Sequence, residues 1–143
     1  MATEESELLY DMIWMGIYPS KFAFLRNLCY NIYRKWVNFM KLWVDDLRQP
    51  PSDEWLWAVS VDQSKLAIKV YEKNMHDDTI LIDLDHDAGD YAKFGGDFIR
   101  LLDWLEQEGI VDTGYFFCLH TMNPVGRENM RRIIQKNGWR EIK

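Results

Sequence analysis

The chain is poor in cysteine, proline and histidine, and each scarcity removes a class of answer. Its two cysteines, Cys29 and Cys118, stand far apart and form no CxxC pair, which leaves no disulfide framework and no thiolate zinc site. Cys118 falls inside Tyr115-Phe116-Phe117-Cys118-Leu119 and reads as a small buried hydrophobe. The first residues are acidic rather than basic, so no secretory leader is visible. No apolar run is long enough to cross a bilayer: Tyr10–Tyr18 is too short, and Lys21 and Arg26 interrupt the apolar residues beyond it. The expected compartment is the cytoplasm, with no membrane partner. Positive charge is also scarce where a nucleic-acid face would need it. The net charge of −6 divides into four acids and four bases over residues 1–40, 17 acids and 7 bases over 41–119, and 2 acids and 6 bases over 120–143. An acidic middle with a short basic tail excludes a duplex-DNA binder, which would carry a broad basic surface. It suits a site that holds a metal on one side and a phosphate on the other. No internal repeat or low-complexity stretch is present.

What the chain does have is apolar and aromatic mass: 48% hydrophobic and 15% aromatic over 143 residues, enough for one domain with a real core. From residue 41 onward the pattern alternates strand and helix. The expected elements are strands Lys41–Val44 and Trp55–Ser60, a helix Val61–Asn74 capped by Ser60 or Asp62, and a strand Thr79–Leu84. After these come a helix Phe94–Gln107 closing near Gly109, a strand Tyr115–Leu119, a helix Pro124–Asn137 and a short strand Trp139–Ile142. Alternation of this kind predicts an α/β fold: a single doubly wound, mostly parallel five-stranded sheet of order 2-1-3-4-5. One link is irregular. Roughly ten residues, including Pro50-Pro51, separate the first two strands, too few for a crossover helix, so that helix is expected to be missing.

Residues 1–39 are expected to supply a helical N-terminal extension packed on the domain at 40–143. Lys21–Phe39 carries Phe24, Leu25, Leu28, Ile32, Trp36 and Phe39 near helical spacing, and nine of the first 39 residues are aromatic, too many to leave in water. The alternative is an aromatic surface that docks a protein or membrane partner.

The chemistry concentrates at three strand ends. Asp83-Leu84-Asp85-His86-Asp87 closes an apolar strand with three carboxylates and an imidazole, and Asp45-Asp46 closes the first strand. Crowded carboxylates repel one another unless a cation or hydrogen-bond donors offset the charge. The fourth strand ends in His120-Thr121-Met122-Asn123-Pro124-Val125-Gly126-Arg127. There Asn123 caps a helix, Pro124 suits its first position, Gly126 admits a ligand to the backbone, and Arg127 can grip phosphate. In a 2-1-3-4-5 sheet the ends of strands 1, 3 and 4 lie side by side. Asp45, Asp46, Asp85, His86, Asp87, His120 and Asn123 then converge on one crevice. His76, in a loop, receives no role.

Three segments together resemble the cyclic-phosphate-processing receiver-like domains. They are Leu42-Trp43-Val44-Asp45-Asp46-Leu47-Arg48 with the prolines after it, Leu84-Asp85-His86-Asp87-Ala88-Gly89, and His120 to Met130. The resemblance spans roughly residues 40–143 and implies a fold like that of response-regulator receivers, with hydrolysis or recognition of cyclic phosphates on RNA ends or nucleotides. The chain departs from an ordinary receiver. No Lys-Pro pair follows a fifth strand, the first crossover helix is missing, and His120 with Thr121 stands at the strand-4 hydroxyl position, so phosphorelay is not expected. Asp83 adds a carboxylate with no assigned role.

The resulting expectation is a metal-assisted phosphoesterase. Asp45, Asp46 and Asp85 would hold Mg²⁺ or Mn²⁺ through oxygen ligands. His120 and His86 are the candidates that would share the general-base and general-acid roles, because imidazole ordinarily titrates near neutral pH. Asp87 would orient His86 or complete the metal shell. Asn123, Gly126, Arg127 and Arg48 would hold the phosphate oxygens. The alternatives are a binding module that captures a phosphorylated or cyclic nucleotide without turnover, and an adaptor that works through residues 1–39.

Overall fold

A computed structural model describes residues 40–74, 79–110 and 114–143. The proposed extension at 1–39 and His76 lie outside these residues. Five strands form one all-parallel sheet of order β2-β1-β3-β4-β5: β1 Met40–Val44, β2 Leu56–Ala58, β3 Ile80–Leu84, β4 Tyr115–Leu119 and β5 Arg140–Glu141. Three helices connect them: α1 Val61–Asn74, α2 Ile99–Gln107 and α3 Pro124–Lys136. This is the receiver-like, flavodoxin-like order expected from the sequence, and β1 passes to β2 without a helix.

Strand alternation divides the sheet into two chemically different faces. Leu42, Ile82 and Phe117 stand in register across β1, β3 and β4 and are fully buried. With Val44, Leu84 and Ile80 they meet Ile68, Leu101, Leu102, Leu105, Met130 and Ile134 from the helices in one core. Burying each such side chain is worth roughly 1.5–3 kcal/mol. The three crossovers β2–α1–β3, β3–α2–β4 and β4–α3–β5 all step across the sheet in the same direction. Right-handed connection therefore places all three helices on this face, where α1 packs beside α2 and α2 beside α3. The opposite ladder, Trp43–Asp83–Cys118, is only partly buried. A one-residue slip in register would exchange the two sets and drive Asp83 into the core, so the pairing is strongly specified. Cys118, expected to be buried, is half-buried on this second face; burial, with the charges of Asp83 and Glu141, pushes its thiol up to about 11.

Several boundaries differ from expectation. The helix predicted from Phe94 begins at Ile99, because Gly95 (φ 108°) and Gly96 (φ 91°) take backbone angles that no helix contains. A short 3₁₀ turn, Gly89–Lys93, precedes them. Strands β2 and β5 are shorter than the expected Trp55–Ser60 and Trp139–Ile142, at three and two residues. Helix α1 begins as expected: Ser60 Oγ accepts the Gln63 N–H, and Gln63 Oε1 accepts the Val59 N–H in return. Among the described residues no helix is long and apolar enough to cross a membrane.

Tryptophans replace the missing crossover helix as the brace of the β1–β2 loop. Trp57 Nε1 donates to the Asp45 carbonyl (2.7 Å), and Trp43 Nε1 donates to the Arg48 carbonyl (2.7 Å). Trp55 packs edge-on against Trp43, and Lys41 pairs with Glu54 (2.7 Å). The loop is thereby fixed from β1, from β2 and from within.

Candidate functional site

Backbone bonds that continue the parallel ladder beyond the strands line up three strand tips. Asp45 N–H donates to Ala58 C=O (3.1 Å), Asp85 N–H to Val44 C=O (2.9 Å) and His120 N–H to Leu84 C=O (3.0 Å). Asp45, Asp85 and His120 are therefore side by side at the carboxyl end of the sheet, where open α/β sheets bind ligands.

Asp45 is the hub. It is fully buried, and both its oxygens are occupied. Oδ1 accepts the N–H groups of Leu47 (2.8 Å) and Arg48 (2.7 Å); Oδ2 accepts Arg48 Nε (2.7 Å) and faces His120 Nε2 (2.9 Å). Burial pushes its carboxyl pKa up, but the backbone donors of Arg48 and Leu47, then His120 and the Arg48 side chain, outweigh burial and leave it lowered. Arg48 continues to Asp85 Oδ2 (2.8 Å) and to the His120 carbonyl (3.3 Å). Asp85 Oδ1 accepts the His86 N–H (2.7 Å).

Asp46 has the opposite character. Burial, and then the charges of Asp45 and Asp85, raise its pKa. Asp45, Asp46 and Asp85 each offer a carboxylate oxygen within 4.8 Å of the others. Three hard oxygen donors, one of them strained by its neighbours' charge, fit a divalent cation such as Mg²⁺ or Mn²⁺. In this structure the Arg48 guanidinium already bridges two of the three, so a cation reaching Asp45 Oδ2 competes with it.

Asp83 acquires a place. Its Oδ1 lies 2.7 Å from His120 Nδ1, while the His120 ring stacks on Trp43 at 3.9 Å between centroids and 3° between planes. His120 is thus held by a carboxylate at each nitrogen and an indole on its face. Sequence reasoning missed Trp43 and left Asp83 without a role. The available signal was period two: Trp43 and Asp45, and likewise Asp83 and Asp85, share a side of their strands.

His86 is held differently. Its Nδ1 faces Asp87 Oδ1 (2.8 Å), and Asn123 Nδ2 stands at 3.5 Å from the same nitrogen. Its Nε2 makes no hydrogen bond among the described residues. The ring lies against Gly126, where an added Cβ would fall 2.4 Å from Cγ and 2.5 Å from Cδ2. The space expected to admit a ligand beside Gly126 therefore belongs to the His86 ring.

The helix mouth offers less to an anion than its sequence promised. Pro124 has no N–H, and the Gly126 N–H is taken by Asn123 Oδ1 (2.9 Å). Arg127 donates to the Thr121 carbonyl, and its Nε is buried with no hydrogen-bond partner among the described residues. The structure thus gathers Asp45, Asp46, Asp85, Arg48 and His120 into one cluster. It sets His86, Asp87, Asn123 and Gly126 beside it, and ties Arg127 back to its own loop.

A family model described as the cyclic-phosphate processing receiver domain matches residues 40–136, about two thirds of the chain. The chain belongs to that family. The matched span covers every strand tip described above, and β5 falls just beyond it. No curated protein and no solved structure matches the chain. The matched receiver domain carries Asp45, Asp46 and Asp85 at its strand tips, with the His120 imidazole held between Asp45 and Asp83.

Proposed function

We propose that this domain is a metal-assisted phosphodiesterase that opens cyclic phosphates on nucleotides or RNA ends. The observation that carries the reading is a charge imbalance. Asp45, Asp46, Asp83, Asp85 and Asp87 surround the crevice, and among the described residues Arg48 is the one guanidinium bound between them. An anionic substrate has no reason to enter such a site unaided, so the cyclic-phosphate reading calls for a cation here. Asp45, Asp46 and Asp85 would hold it, and when bound it would offset charge on the phosphoryl oxygens.

The protein's own groups divide the proton work. His86 is the base: Asp87 holds Nδ1 and Nε2 is free to take a proton from the attacking water. His120 is the acid. Carboxylates at both ring nitrogens are satisfied together only when each nitrogen carries hydrogen, and Nε2 is the one that faces the acidic cluster. Water oxygen bonds to phosphorus, one ring P–O bond breaks, and the departing ribose oxygen takes the His120 proton. The product is an acyclic phosphomonoester. Arg48 and the Asn123 turn would steady the nonbridging oxygens.

The test is hydrolysis of a nucleoside 2′,3′-cyclic phosphate with Mg²⁺ or Mn²⁺, read by ³¹P NMR. His86→Ala and His120→Ala should each cut the rate by roughly 10²-fold or more. No turnover by the native protein across cyclic substrates and both cations would refute catalysis. A second reading, a sensor that binds without turnover, is favoured by the Arg48 bridge, which closes Asp45 and Asp85 to a cation. Ligand that raises the unfolding temperature and is recovered unchanged would select it.

A further inference from the structure

The five exposed large hydrophobics among the described residues are unevenly placed. The three most exposed are Leu47 (81%) in the β1–β2 loop, Met122 (84%) in the β4–α3 loop and Val125 (68%) at the second position of α3. Single exposed apolar side chains are ordinary on a protein surface; three on the chain segments that carry one site are not scattered.

Their backbones explain the placement. The Leu47 N–H is held by Asp45 Oδ1, and Arg48, next in the chain, reaches across to the His120 carbonyl, so the Leu47 loop and the Met122 loop are tied together. Asn123 N–H binds Thr121 Oγ1 (3.2 Å) and its Oδ1 caps Gly126, which fixes the turn containing Met122 and Val125. Each apolar side chain is therefore one or two residues from a group that faces the crevice, on backbone that is already pinned.

The size and chemistry of this rim select its occupant. Three side chains present at most a few hundred Å² of apolar surface, well short of the roughly 800 Å² per partner that a stable protein interface needs. None carries a donor or an acceptor, and the carboxylates next to them repel anions. A flat, uncharged, weakly polar ring is what remains.

We propose that Leu47, Met122 and Val125 clamp the nucleobase of a nucleoside cyclic phosphate whose phosphate occupies the crevice. The proposal rests on the cyclic-phosphate reading above and narrows the substrate class: nucleoside cyclic phosphates are taken in preference to base-free sugar cyclic phosphates. With no polar group to read a base edge, the clamp distinguishes A, G, C and U poorly.

The test compares adenosine 2′,3′-cyclic phosphate with methyl riboside 2′,3′-cyclic phosphate, each titrated calorimetrically in Mn²⁺ against the native protein and against Leu47→Ser/Met122→Ser/Val125→Ser. All three positions are exposed, so the variant should fold, and its thermal unfolding checks that; Met122→Gln serves as a milder single variant. The expected result is roughly tenfold tighter binding of the nucleoside ligand by the native protein, lost in the triple variant, with binding of the base-free ligand unchanged. Equal affinity of the native protein for both ligands, or a triple variant that binds the nucleoside ligand as well as native, overturns the clamp and leaves the cyclic-phosphate reading intact. If the native protein binds neither ligand, the clamp falls together with the reading beneath it.

Discussion

Gly126→Ala separates the stability of this domain from its chemistry. Position 126 is the third residue of α3, where alanine is the better helix former by up to about 1 kcal/mol. The added methyl, however, would sit 2.4 Å from His86 Cγ, 2.5 Å from Cδ2 and 3.0 Å from Nδ1. Ordinary contact needs about 3.4 Å or more, so the ring must retreat by roughly 1 Å. It has somewhere to go, because its Nε2 edge is bound to nothing described and the side chain is partly exposed. The displacement breaks the Nδ1–H bond to Asp87, worth on the order of 1 kcal/mol. These two effects nearly cancel. The expected result is a change in unfolding free energy within about 1 kcal/mol, with shifted His86 imidazole resonances and hydrolysis reduced at least tenfold. A loss above about 3 kcal/mol would mean that the ring is a fixed part of the core. Unchanged His86 resonances would mean that it never lay against Gly126. Either result refutes the packing argument.

Three further outcomes concern the same cluster. Asp45 has a folded pKa below its ordinary value of 3.8, so its stabilising contribution is complete above that value and is lost as pH falls through the folded pKa. Urea midpoints should therefore drop on acidification below about pH 4, and Asp45→Asn, less stable at pH 7, should show a shallower drop. Arg48→Gln removes the cation already shared by Asp45 and Asp85, so Mn²⁺ affinity measured by calorimetry should rise about tenfold, equivalent to about 1.4 kcal/mol, while the metal-free protein loses stability; unchanged affinity would show that Arg48 does not compete. Asp83→Leu releases one of the two carboxylates on His120 and should cost about 1–2 kcal/mol. His120 ¹⁵N resonances should move under Asp83→Leu and recover in part with Asp83→Asn, which still offers an acceptor oxygen; identical spectra for both variants would deny Asp83 a positioning role.

Period-two and period-3.6 patterns made the strand order legible, because a sheet buried under helices on one face and acidic at its tips leaves few alternatives. Ile80-Leu81-Ile82 and Tyr115-Phe116-Phe117 read as buried strands, and Asn123-Pro124 reads as a helix start, for reasons local to those residues. What could not be read was contact between partners far apart in sequence. Nothing in the chain announces that Arg48 turns inward to Asp45 and Asp85, that Arg127 turns back to Thr121, or that Gly126 makes room for His86 rather than for a ligand. The delayed start of α2 was hidden for a different reason. Gly95-Gly96 sits inside an apolar pattern that continues in helical phase, and only the backbone angles reveal that the chain is turning.

The missing crossover helix bears directly on the chemistry. A helix between β1 and β2 would carry the chain away from Asp45 at once. The short loop instead turns back over the strand tips, held by Trp43 and Trp57, and delivers Arg48 to two acids and to the carbonyl of His120. Asp85 is thereby engaged at both oxygens, by Arg48 and by the His86 N–H, and is poorly placed to act as a free nucleophile toward a phosphodonor. The strand-4 position beside it holds an imidazole fixed between two carboxylates rather than a hydroxyl. A crevice arranged this way does not suit capture of a phosphoryl group on Asp85. On the reading proposed above, it would instead hold a phosphate ester whose charge a cation offsets and whose protons His86 and His120 move.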